Sequence, residues 1–244
     1  MRVAIVTAAG RGIGESCARE LADRGYSLAI MSPNNVMSVA SDLGCTGFVG
    51  SITNLLDLQK LVELALEHYG RVDAVINNAG HAPATFAGMK SGYDPDFDRS
   101  PLEVTDEEWQ DGMHQLLLSV IRMSRLVTPV MQRQRSGAIV NISSYAAFEP
   151  RLTYPVSSTM RLALAGFAKL YSDRYAREGI RMNNLLPGLV DNWPVEPAFL
   201  RSIPMGRAAT LKEIAASAAF LLSSEAGYMT GQNVLVDGGA NRSV

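Results

Sequence analysis

The first chemistry the chain offers lies at residues 7–14, Thr-Ala-Ala-Gly-Arg-Gly-Ile-Gly. Glycines at alternate positions, Gly10, Gly12 and Gly14, let a backbone approach a bulky anion closely. They follow an apolar run at 2–7 and open a helical run, so the unpaired amides and positive dipole end of a helix face that anion. Strand, glycine turn and helix in this order hold the pyrophosphate of a dinucleotide. Thr7, Gly10, Arg11, Gly12, Ile13 and Gly14 are therefore candidate binding residues. Arg11 sits against the helix dipole, which points to an anion nearby. The second strand leads into Ser32, Pro33, Asn34 and Asn35. Sites that prefer NAD place a carboxylate there for the ribose 2′-hydroxyl. Ser32 and Asn34 carry no charge, and Arg11 can reach a 2′-phosphate, so NADP is expected over NAD.

The elements that must position this turn are legible along the chain. Strand runs are expected at 2–7, 27–31, 46–49, 73–77, 137–143, 180–186 and 233–238. Several are continuously apolar, as strands buried on both faces of a parallel sheet are. Helical patterns lie between them. One runs from the glycine turn to Gly25, and another over 55–70 stops at Gly70, both natural residues just past a helix end. Thr105 and Thr210 each stand three residues before a glutamate, the signature of a capping box, and start helices near 106 and 211. This alternation predicts one α/β domain over 1–244, a doubly wound (Rossmann) parallel sheet of about seven strands with helices on both faces. The stretch 81–104 is long for a connection and rich in Gly, Pro and Asp, as a lid, an interface loop or an insertion would be.

Beyond the glycine turn, "NNAG" at 77–80, "GAIVNISS" at 137–144, "EGIRMNNLLPG" at 178–188, "IPMGR" at 203–207 and "MTGQNVLVDGG" at 229–239 occur in order. With these motifs the chain resembles the short-chain dehydrogenase/reductase family over nearly its whole length, in particular its 3-oxoacyl-carrier-protein-reductase-like members. The family turn begins with glycine where this chain has Ala8. The resemblance implies that Asn77, Asn78, Ala79 and Gly80 line the adenosine side, with Ser51 and Ile52 near the adenine, and that Pro187 and Gly188 shape the nicotinamide side. Ser51 stands where the family tends to carry aspartate.

The resemblance also implies a chemistry, hydride transfer between a nicotinamide and a carbonyl or alcohol. In the family a tyrosine moves the proton, a lysine four residues on holds the ribose and lowers the tyrosine pKa, and a serine thirteen residues before the tyrosine binds the carbonyl. An asparagine in the preceding long helix supports a water. Here these positions fall on Ser157, Arg161, Ser144 and Leu116. The spacing of Ser157 and Arg161 puts them on one helix face. Arg161 keeps a positive charge and can hold ribose hydroxyls. Ser157 is a weaker acid than a phenol. Tyr154, one turn earlier with Pro155 at a first helical position, can bring a phenol toward the vacated place, and Tyr145 is a second candidate. Each also has a plain role in packing over the pocket. The segment 189–202, with Trp193 and Phe199, is expected as a short substrate lid.

Composition narrows the class. The chain has 244 residues, 47% of them hydrophobic and 19% charged, and a net charge of −2. That excludes a general basic field for nucleic acid and a polybasic membrane patch. Apolar runs are far shorter than the ~18 residues of a membrane span. No signal peptide is visible. Cys17 and Cys45 lack metal spacing and suit buried or free thiols in a reducing compartment, so a cytoplasmic protein is expected. His68, His81 and His114 have no partners at metal spacing, and of these His81 is best placed to enter the pocket. The resemblance implies a homodimer or homotetramer that pairs helices near 106–134 and 155–177. Two other readings stay open. The joint loss of the three catalytic types suits a nucleotide-binding protein without turnover. Ser144 with Arg161 also resembles the serine and arginine of halohydrin-dehalogenase lyases, although those fill the nucleotide site that the three glycines here leave open.

Overall fold

In the computed structural model, residues 1–79, 100–192 and 197–242 are described. Seven strands form one parallel sheet: β1 (Arg2–Thr7), β2 (Tyr26–Ser32), β3 (Thr46–Val49), β4 (Ala74–Asn77), β5 (Gly137–Ile142), β6 (Ile180–Pro187) and β7 (Asn233–Val236). Their spatial order is β3-β2-β1-β4-β5-β6-β7. The chain winds outward one way from β1 and then the other way from β4. Loops at the carboxyl ends of these two strands diverge and leave a crevice, the place where such sheets bind ligands.

Side chains alternate across the pleat, so each strand feeds two cores. Val6, Ile30, Val140 and Leu185 pack with α1 (Gly12–Asp23), α2 (Val36–Leu43) and α8 (Leu211–Leu222). Ile5, Val75, Ile139 and Met182 pack on the other face with α3 (Leu55–Tyr69), α5 (Ser119–Gln134) and α6 (Pro155–Tyr175). Two further helices are α4 (Asp106–Met113) and the short α7 (Pro197–Leu200). Among the described residues no helix is long and apolar enough to cross a membrane.

The expected boundaries hold closely. The Thr105 side chain accepts from the Glu108 amide at 3.2 Å while Glu108 accepts from the Thr105 amide at 2.9 Å, and Thr210 with Glu213 repeats the box. Gly25 and Gly70 adopt the left-handed conformation expected of them. Two features were not legible. Helix α2 is short and follows a turn rich in polar residues, so periodicity does not announce it. The long helix expected over 106–134 is broken by a π-helical turn at His114–Leu118. Hydrogen bonds there reach one residue further than in an α-helix, a local insertion that often marks a functional site.

The turn after β1 carries strain. Ala8 sits at φ +49°, where the family's turn begins with glycine. A Cβ in this left-handed region crowds the backbone and costs about 1 kcal/mol or more. Ala8→Gly is expected to relieve it. After the greater unfolded-chain entropy of glycine is subtracted, the net gain is about 0.5 kcal/mol. Chemical denaturation with an unchanged m-value measures it.

Candidate active site

The glycine turn is built by close packing. A Cβ on Gly10 would stand 1.9 Å from the Asn34 carbonyl oxygen and 2.8 Å from Ser32 Oγ. One on Gly14 would stand 2.2 Å from the Ala8 carbonyl oxygen and 2.7 Å from Asn78 Nδ2. Gly12 is at φ +60°. Asn35, itself at φ +58°, donates from Nδ2 to the Gly10 carbonyl at 2.9 Å, which locks the turn after β2 against the turn after β1. At the start of α1 the cap residue is Arg11, whose side chain makes no capping bond. Short polar side chains usually satisfy the first amides of a helix. Here those amides are left for a ligand, and a phosphate suits them. Arg11 is exposed, and no carboxylate pairs with it among the described residues. Ser32 is buried against the turn and Asn34 is exposed at its rim.

A second clamp joins β1 to β4. Thr7 Oγ1 donates to the Asn78 carbonyl at 2.7 Å and accepts from the Asn78 amide at 2.9 Å. Asn78 in turn donates from Nδ2 to the Ala8 carbonyl at 3.3 Å. Beside this clamp lies a water-sized void of about 10 Å³, bordered by Thr7, Ile52, Asn77, Ala79, Gln115 and Arg161 among others. Leu116 also borders it, at the position where the resemblance implies asparagine. Ser51 is spent on local structure: its amide donates to Asp57 Oδ2 at 2.8 Å and its hydroxyl pairs with Thr53 at 2.9 Å. Gly188 is required for packing, because a Cβ there would meet Asp237 at 2.8 Å. Pro187 closes β6.

The structure brings two of the expected catalytic residues together. Arg161 Nε donates to Ser157 Oγ at 3.1 Å, and its Nη1 donates to the Ile142 carbonyl at 2.9 Å. The guanidinium is half-buried and has no carboxylate partner among the described residues, and desolvation lowers its pKa to about 10. It therefore remains charged at neutral pH. Ser157 accepts from Arg161 and keeps its own O–H to donate. Ser144 Oγ likewise accepts, from the Ala146 amide at 3.2 Å, and keeps its proton free for a carbonyl. Tyr154 caps α6, with Pro155 at the first helical position. Its phenol is tuned by groups other than Arg161. Burial first, and then nearby Tyr145, push its pKa to about 12, and Arg151, not Arg161, pulls the other way. Burial raises Tyr145 too, with Arg151 stacked 5.1 Å from its ring centroid. The family's lowering of a phenol pKa by the neighbouring cation is thus not reproduced.

Sequence reasoning missed Gln115 and Asn192. Gln115 borders the void because the π-helical turn swings it there, which regular spacing cannot show. Asn192 brings Nδ2 to 3.3 Å from where a Gly12 Cβ would stand, so the segment after β6 reaches the glycine turn. Gly80, His81, most of 81–104 and Trp193 lie outside the described residues. His68 Nδ1 is hydrogen-bonded to the Leu64 carbonyl at 3.0 Å, and His114 is exposed on the π turn. Cys17 is buried, which pushes its thiol to about 12, and the same effect takes Cys45 to about 11, so neither is a ready nucleophile.

A parallel sheet with its reversal at β1/β4 and an uncapped glycine turn define a dinucleotide-binding architecture. Residues 7–241 match the family described as enoyl-(acyl carrier protein) reductase. The chain belongs to the short-chain dehydrogenase/reductase family, whose members are NAD(P)-dependent oxidoreductases. It is 30% identical to the 3-oxoacyl-(acyl-carrier-protein) reductase of Escherichia coli, over 98% of this chain and 96% of that protein. The corresponding reductase of Chlamydia muridarum is 32% identical over the same shares. Among solved structures, the TT0495 protein from Thermus thermophilus superposes with a TM-score of 0.85 at 33% identity, covering 98% of this chain and 99% of that one. YwfH, an NADPH-dependent reductase involved in bacilysin biosynthesis, gives 0.84 at 28% identity, covering 100% and 99%.

The unpaired Arg161 charge has a cost in stability. Taking an ion out of water without a counter-ion is unfavourable, and an apolar residue of similar length avoids this. Arg161→Met is expected to raise the unfolding free energy by about 1 kcal/mol, ~3 °C in a chain of this size. The sign with pH follows from the lowered pKa. The desolvation cost is full below pH ~10 and fades above it, because burial favours the neutral side chain. The gain in the variant is therefore expected to shrink as thermal melts are taken from pH 8 past pH 10.

Proposed function

We propose that the chain is an NADP(H)-dependent oxidoreductase acting on a small carbonyl or the corresponding alcohol, with Ser157 and Arg161 in place of the family's tyrosine and lysine. The observation that carries this reading is the uncapped start of α1 above a turn in which Gly10 and Gly14 leave no space for a side chain. That cradle fits a pyrophosphate, held by the amides of residues 12–14. The absence of a carboxylate at the end of β2, with Arg11 exposed nearby, supports the 2′-phosphate of NADP. The YwfH neighbour, an NADPH-dependent reductase, agrees in cofactor type.

The cofactor supplies the hydride. As the carbonyl oxygen gains charge, Ser144 and Ser157 donate hydrogen bonds to it, and the Arg161 charge behind Ser157 stabilises it. Donors and charges fixed before reaction avoid the cost of reorganising solvent. The proton comes from Tyr154. A phenol held near 12 is protonated throughout the physiological range and is still a far stronger acid than an alcohol, so it can donate to a forming alkoxide. Solvent then restores its proton. We read 189–202 as the short substrate lid, of which residues 193–196 lie outside the described residues, and exposed Leu162 and Leu170 on α6, with open Gly166 between them, suit packing in a homodimer or homotetramer. A second reading, nucleotide binding without turnover, is favoured by Leu116, an apolar side chain where the family supports a water. The open glycine turn speaks against a halide-pocket lyase.

Titration with NADPH and NADH, followed by a panel of carbonyl substrates, tests the proposal. NADPH is expected to bind more tightly, and Arg11→Ala to weaken NADPH by about tenfold while leaving NADH nearly unchanged. Failure of both nucleotides to bind would end the oxidoreductase reading, and binding with no turnover would favour the second. Where turnover is found, Tyr154→Phe is expected to lower kcat by about 100-fold or more. An unchanged kcat removes Tyr154 as the proton donor.

A further inference from the structure

Four asparagines stand in one row across four adjacent strands. Asn77 on β4 is in register with Asn141 on β5, Asn141 with Asn184 on β6, and Asn184 with Asn233 on β7. Their side chains are bonded head to tail. Asn77 Nδ2 donates to Asn141 Oδ1 at 2.9 Å, Asn141 Nδ2 to Asn184 Oδ1 at 2.8 Å, and Asn184 Nδ2 to Asn233 Oδ1 at 2.8 Å. Asn141 and Asn184 are fully buried, Asn77 nearly so, and Asn233 half-buried at the sheet edge. Strand pairing does not need this row. Asparagine is a poor strand former, and a buried amide is costly unless its partners are present. An apolar row would hold the sheet together at less risk.

The direction of the bonds gives the row a role. All three amides donate the same way, from β4 toward β7, so each bond polarises the next. The Asn77 amide is planar and its Nδ2 is committed to β5. Its Oδ1 therefore faces away from β5, toward the β1 side and the void that Asn77 shares with Thr7 and Arg161. An isolated asparagine can turn its amide over at little cost. Here a turned Asn77 would set Oδ1 against Asn141 Oδ1, and only a concerted reversal of the whole row would relieve the clash.

We propose that Asn141, Asn184 and Asn233 are positioning residues that act through Asn77. The row fixes the Asn77 amide so that Oδ1 is an oriented acceptor at the nucleotide crevice, on the void that Arg161 also borders. A role for Oδ1 at the nucleotide rests on the cofactor reading above; the orientation of Asn77 does not. Asn233, three strands and about 14 Å from Asn77, anchors the tail of the row from a half-exposed edge.

Asn233 is also the place to test the row without opening the core. Asn233→Val removes the acceptor and leaves Asn184 Nδ2 unpaired, whereas Asn233→Thr restores an acceptor in nearly the same shape. The Asn77 side-chain NH₂ resonances, assigned by their loss in Asn77→Ser, are expected to shift in Asn233→Val and return in Asn233→Thr. NADPH is expected to bind about three- to tenfold more weakly to the valine variant and normally to the threonine variant. Unmoved Asn77 resonances in Asn233→Val, or valine and threonine variants that behave alike, overturn the proposal. If the unmodified protein binds no NADPH, the cofactor reading fails and the resonance comparison alone decides the orientation of Asn77.

Discussion

The contact on which the rest of the structure depends is the approach of the turn after β1 to the turn after β2 and to the base of α1. At Gly10 and Gly14 backbone lies where any other residue would carry a side chain. That contact sets how deep the first amides of α1 sit in the crevice, and so how near an anion can come to the sheet. The Thr7–Asn78 clamp then ties the same turn to β4, the strand at which the winding reverses. The binding geometry follows from van der Waals exclusion more than from attraction, and the strain at Ala8 is tolerated within it.

The centre of the site departs from this economy. A guanidinium with one serine and one carbonyl as partners is an expensive group to keep half-buried. Stability alone would replace it. Beside Ser157, which accepts one hydrogen bond from it and keeps a proton free, the guanidinium suits a site arranged for negative charge arriving from outside. The tyrosines, by contrast, are gathered around Arg151. The family pattern puts one cation beside its phenol on a helix face; here Arg161 holds that helix face, and Arg151 is the cation that acts on the phenols of Tyr145 and Tyr154.

Much of the fold was legible because its signals are local. Apolar runs of strand length, a glycine turn, two capping boxes and C-terminal glycines each report on a few neighbouring residues, and all seven strands came from them. Family membership was legible from motifs in order. The Ser157–Arg161 pairing followed from helical spacing. What stayed hidden depends on departures from regularity or on distant partners. Gln115 reaches the void from an irregular turn, Asn192 reaches the glycine turn from the loop after β6, and the environment of Tyr154 is set by Arg151 and Tyr145 through tertiary packing. The asparagine row shows the limit most plainly. Each of its members is visible in the sequence, but their alignment exists only once four strands separated by helices are in register.

The π-helical turn at His114–Leu118 has a consequence for how the chain tolerates changes in length. An α-helix advances about 100° per residue, so an inserted or deleted residue normally rotates everything beyond it off its packing face. A π turn already holds one residue more than the regular helix needs. Removing one residue there returns an ordinary helix whose two halves keep their azimuths, with Met123 and Val127 still against the sheet. The loss falls instead on the lining around Gln115 and Leu116. The fold thus carries, in the middle of its longest helical segment, a joint at which the pocket wall can be redrawn while the scaffold stays in phase.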